Sequence, residues 1–109
     1  MRPEISLEII IKALAGLGPI RSQGMFGGNG LYYREAIFAI FWKGRLYLKS
    51  GTPLVVAGRR LNYFRPRSNF SSKKYFEVPR AVFAREGGLL RLVKKALRSA
   101  ARPSTDFYT

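Results

Sequence analysis

The chain has 109 residues, 47% of them hydrophobic and 14% aromatic, and its 20 Lys and Arg against six Asp and Glu give a formal net charge of +14. That length suits one domain with one core, and the composition lies far from the disordered class. With no cysteine and no histidine, disulfides, thiolate chemistry, Cys-type zinc sites and the commonest general base and metal ligand are excluded.

Residues Ile5 to Leu17 predict an amphipathic helix, because Leu7, Ile10, Ile11, Leu14 and Leu17 fall on one stripe at spacings of three and four. Gly16, Gly18 and Pro19 end it. From Ile20 an extended segment begins, interrupted by Gly27-Gly28-Asn29-Gly30 before Leu31-Tyr32-Tyr33. The pattern reads as one bent strand with a bulge or a glycine kink, and Gly24, Gly27, Gly28 and Gly30 are its structural glycines. Arg34-Glu35 turns the chain into Ala36 to Trp42, whose large or branched residues on both faces predict a central strand. Lys43-Gly44 makes a second turn, and Arg45 to Lys49 alternates with Leu46 and Leu48 on one face. Thr52 and Pro53 read as the N-cap and first position of a short helix, Leu54 to Ala57, ended by Gly58. Leu61 to Arg65 and Lys74 to Val78 are further strands, joined by a polar, mobile loop from Pro66 to Lys73. A helical turn at Ala81 to Phe83 precedes Gly87-Gly88 and a last helix, Leu89 to Ala101.

The expected order is therefore α-βββ-α-ββ-α: an α+β, two-layer sandwich, with a five-stranded antiparallel sheet and the helices packed on one face. Glu4 and Glu8, the closest acids, favour the positive end of the first helix dipole rather than a catalytic pair. No cofactor, metal site or catalytic group is expected, so the chain reads as a non-enzyme. No apolar run approaches the ~20 residues of a membrane span. Met1-Arg2-Pro3-Glu4 lacks the features of a secretory leader, which predicts a cytoplasmic protein with no membrane partner. Nothing in the pattern indicates an oligomeric state.

The segment Gly24-Met25-Phe26-Gly27-Gly28-Asn29-Gly30-Leu31-Tyr32 resembles the opening of the N-terminal domain of TfoX/Sxy competence regulators. Four further landmarks follow in order: Phe38-Ala39, Leu46-Tyr47-Leu48-Lys49, Tyr75-Phe76-Glu77-Val78-Pro79, and the Leu89-Leu90 to Ala96-Leu97 helix. Three features depart from the family pattern: Asn29 where an aromatic is usual, and Arg34-Glu35 and Lys43-Gly44 where Asp-Gly turns are common. The resemblance implies a TfoX N-terminal-like domain over residues 1–102, with a flexible tail at 103–109. It further implies a non-enzymatic module regulating DNA transformation competence through a protein partner, the transcription machinery or an activator. The second, helical domain of full-length competence regulators is not expected after Thr109.

The glycine-rich run could be imagined as a phosphate cradle or a KH-type loop, but Leu31-Tyr32-Tyr33 follows it as a strand rather than a helix start. The strand aromatics invite base stacking, and core or cross-strand packing is the plainer reading. The cations form two groups. Arg59, Arg60, Arg65, Arg67, Lys73 and Lys74 surround the fourth and fifth strands. Arg91, Lys95, Arg98 and Arg102 share one helical face, with Lys94 beside it. A solvated surface explains such charge but not the scarcity of interspersed acids. The alternative function is thus sequence-independent nucleic-acid binding. Four duplex contacts from the helical face would give a salt slope of about −3.6.

Overall fold

The computed structural model describes residues 5–25, 27–67 and 70–100, without the side chains at positions 65–73 and 100. Helix α1 spans Leu7–Ala13, capped by Ser6, whose hydroxyl accepts from the Ile9 amide at 3.2 Å. It is shorter than the periodicity predicts. Leu14 leaves the helical region (φ −101°, ψ 10°), and a 3-10 turn at Ala15–Leu17 takes the chain to Gly18 (φ +130°). The apolar stripe survives this break, since Ile10 and Leu14 are fully buried.

The glycine-rich segment is not one bent strand. It is a hairpin of β1 (Arg21–Met25) and β2 (Gly28–Tyr33), paired from Arg21↔Tyr32 to Met25↔Gly28. Gly27, at φ +79°, turns the chain where a side chain would be strained. The bulge lies instead on β3 (Ala36–Trp42). Leu31 pairs with Ala39 but Tyr32 with Ile37, leaving Phe38 as the extra residue. Phe38 and Ala39 thereby both join the core beneath the helices. Lys43 and Gly44, both at positive φ, turn β3 into β4 (Arg45–Lys49).

The helix expected at Leu54 to Ala57 does not form. Ala57 (φ +53°) and Gly58 (φ +80°) make a tight two-residue turn joining β5 (Val55–Val56) to β6 (Arg59–Arg60). Thr52 is not an N-cap; its hydroxyl lies 3.1 Å from that of Ser99. The β-branched pair Val55-Val56, followed by residues in left-handed conformation, outweighs the Thr-Pro start signal.

Strands β7 (Tyr63–Arg67) and β8 (Phe70–Glu77) follow, so much of the expected mobile loop is strand. Short α2 (Arg80–Ala84) and α3 (Gly88–Ala100) complete the fold. Among the described residues the main sheet has six antiparallel strands, ordered β1-β2-β3-β4-β8-β7, with β5-β6 apart. The α+β class stands, and the strand count rises from five to six. Leu31, Leu46, Leu48 and Phe76 on one sheet face pack with Ile10, Leu14, Leu92 and Val93 from the helices. Each such apolar side chain contributes about 1.5–3 kcal/mol on burial. Ile37 and Leu97 are only partly buried.

Candidate interaction surfaces

Helix α3 is amphipathic for a packing reason. Leu89, Leu92, Val93 and Ala96 lock one side onto the sheet. Arg91, Lys94, Lys95 and Arg98 consequently stand exposed on the other. Arg91 turns back to donate to the Glu86 carbonyl at 3.4 Å. The fourth residue expected on this face, Arg102, lies outside the described residues.

Three cations of the other group have described side chains. Arg59 and Arg60 are exposed on the small β5-β6 hairpin, away from the main sheet's ladder, and Lys74 is exposed on β8. The side chains of Arg65, Arg67 and Lys73 lie outside the described ones. Of the glycines singled out, Gly28 is required by close approach and Gly30 is tightly surrounded by side chains. A Cβ on Gly28 would meet the Phe41 carbonyl at 2.5 Å and the Trp42 ring at 3.0 Å. One on Gly30 would meet Ile37, Met25 and Tyr32 at 3.1 to 3.3 Å. Gly24 has open space around it and no such requirement.

The sheet face turned away from the helix-side core carries a second cluster. Ile40, Tyr47 and Phe64 are buried there, with Ile37, Trp42 and Tyr75 partly buried against them. Phe64 is the hub. Its ring centroid lies 4.6 Å from Tyr47, 5.4 Å from Trp42 and 6.5 Å from Tyr75. Cations decorate the rim. The Arg21 guanidinium sits 4.3 Å over the Tyr32 ring, and the Lys43 ammonium 4.6 Å over Trp42. Arg45 holds Glu77 at 3.1 Å, and Glu77 faces Tyr47 across the ladder. Burial, and then the Glu77 charge, push the Tyr47 phenol above its ordinary value, with Arg45 opposing. Burial raises Tyr75 as well, and Tyr32 adds to it. Both phenols are therefore neutral at physiological pH.

Sequence reasoning assigned these aromatics to packing and missed the cations placed on them. The signal was present in the alternation that sends Arg21 and Tyr32 to one face, and in the Trp42-Lys43 step. The Arg21–Tyr32 part of it depends on the β1-β2 hairpin, which a single bent strand does not contain.

Among the described residues no group of three or more acids could hold a metal ion, and no helix is long and apolar enough to cross a membrane. A cleft of about 460 Å³ is lined by Lys43, Arg45, Glu77 and Arg80, its one carboxylate already engaged by Arg45.

The sequence is similar to a DNA transformation protein, TfoX1, of Aliivibrio fischeri (strain ATCC 700601 / ES114), at 27% identity over 88 residues. The match covers 77% of this chain and 42% of that protein, so the chain corresponds to less than half of its relative's length. The TfoX N-terminal domain model matches residues 12–100, from the second half of α1 to the end of α3, a span that takes in the whole sheet; the chain belongs to the TfoX N-terminal domain family.

Proposed function

We propose that the chain is a non-enzymatic interaction module of a competence-type regulator, acting in the cytoplasm by docking on an acidic surface of a protein partner in transcriptional control. The observation that supports this most is the outward face of α3. Arg91, Lys95 and Arg98 recur on a helix whose other side is fixed in the core, giving a rigid cationic row. A row of that kind matches acidic protein surfaces and adds long-range steering. Membership of the TfoX N-terminal domain family supports the regulatory setting.

The test is co-purification of the tagged chain from its native cell after nuclease treatment. The wild type should retain a stoichiometric protein partner, and Arg91→Glu/Lys95→Glu/Arg98→Glu should lose it while melting normally. Equal retention by both forms would refute the α3 assignment.

A second reading, sequence-independent duplex binding by the same face, draws on the net charge of +14. Three contacts from these residues would give log affinity a slope of about −2.7 against log salt. Random and promoter duplexes should then bind alike, since among the described residues there is no recognition helix pair or zinc finger to read base edges.

A further inference from the structure

We propose that the sheet face away from the helices is a platform for single-stranded nucleic acid, held by base stacking and phosphate pairing without reading the sugar. The helices all contribute to the core on the opposite side of the sheet. This face keeps Trp42 and Tyr75 partly open over a buried floor of Ile40, Tyr47 and Phe64, with Tyr32 half-buried on strand β2. The floor makes the rings rigid. Phe64 stands edge-on to Trp42, and a Cβ on Gly28 would meet the Trp42 ring at 3.0 Å.

Ring faces alone would suit any apolar partner, and the charges narrow the choice. Arg21 lies over Tyr32 and Lys43 over Trp42, while Lys49 is in register with Tyr75. Two open rings thus carry a cation over them, and the third is paired with one across the ladder. Glu77, the only acid in the sheet's strands among the described residues, is engaged by Arg45. A strand of unpaired bases offers what this pattern needs: π-faces for the rings and for the Arg21 plane, and phosphates for the cations. A duplex hides its base faces in the stack, and an acidic peptide would use the cations but leave the rings without matching surfaces.

This inference does not rest on the α3 reading, because the two surfaces lie on opposite sides of the sheet. Trp42 is the sole tryptophan, so its emission reports on this face. The full chain is titrated at low salt with oligodeoxyadenylate and oligoriboadenylate of about 12 nucleotides, the scale of a small single-strand site. A duplex of equal length and heparin, a polyanion without bases, are run alongside. Both single strands should quench Trp42 saturably with comparable affinity, the duplex less so, and heparin little even where it binds. Tyr32→Ala should weaken single-strand binding about tenfold or more, and Arg21→Gln should weaken it without removing a floor residue. Arg91→Glu/Lys95→Glu/Arg98→Glu should leave the single-strand quenching in place. Absence of quenching overturns the proposal and leaves the face to a protein. Equal quenching by heparin, or quenching unchanged in both Tyr32→Ala and Arg21→Gln, overturns it too.

Discussion

Phe64 touches Trp42 with ring centroids 5.4 Å apart and planes at 84°, although two strands, β4 and β8, lie between theirs in the sheet order. Three strand spacings in a flat sheet amount to about 14 Å. The rings must lean inward and the sheet must curl, and the ladder shows where. Adjacent Tyr63 and Phe64 pair with Phe76 and Ser72, so β8 has three extra residues, 73–75, between them. Such an irregularity bends and twists its strand. It brings Phe64 over the face that the helices leave uncovered.

Phe64→Ala should therefore cost about 3–5 kcal/mol, at the high end of large-to-small core changes, because three ring contacts disappear at once. Denaturant unfolding measures the loss. The native Trp42 emission should shift to the red, since the ring loses its cover. A cost near zero would show that the aromatic floor is not part of the core.

Gly28→Ala and Gly24→Ala form a matched pair on neighbouring strands. The first drives a methyl to within 2.5 Å of the Phe41 carbonyl, a backbone atom that cannot swing aside. It should cost more than about 1 kcal/mol. The second enters open space and should change stability by no more than about 0.5 kcal/mol. Equal melting temperatures for the two variants would contradict the close-approach account.

Glu35→Gly should stabilise the chain by about 1 kcal/mol. Arg34 (φ +53°) and Glu35 (φ +65°) both hold the left-handed conformation in the β2-β3 turn. That conformation is disfavoured for residues with a Cβ and free for glycine. Thermal melting checks it, and a lower melting temperature would mean that the Glu35 side chain contributes more than its strain removes.

Legibility from sequence followed the strength of local signals. The two central strands and the last helix could be read because Ala36–Trp42 is apolar on both faces, Arg45–Lys49 alternates, and a period of 3.6 persists through Gly88–Ala100. The β1-β2 hairpin escaped because the strand residues are mostly polar or glycine and β1 is an exposed edge with no apolar alternation. Thr52-Pro53 mimicked a helix start, while the turn that decides the matter, Ala57-Gly58, depends on a left-handed alanine that composition does not signal. The α3 cation row was visible as a helical repeat. The Arg21–Tyr32 placement was not, since it depends on register across strands, whereas the Lys43–Trp42 contact joins sequence neighbours.

Alkaline pH should destabilise the chain through Tyr47 and Tyr75. Their folded-state values are raised above the ordinary 10.0 by burial, so the unfolded chain gives up these protons first. Their stabilising contribution is whole below about pH 10 and is lost as pH rises through the higher folded-state values. Urea midpoints between about pH 8 and pH 11 measure the fall. Tyr47→Phe should flatten it, and an identical slope in that variant would contradict the assignment.

The most direct test of the α3 assignment is photocrosslinking in the native cell, with benzoylphenylalanine replacing Lys95 on α3 and, as a control, the exposed Glu8 on α1. The account predicts a discrete adduct of the chain with one protein from position 95, resistant to nuclease, and none from position 8. An adduct that nuclease removes, or equal protein adducts from both positions, would contradict it.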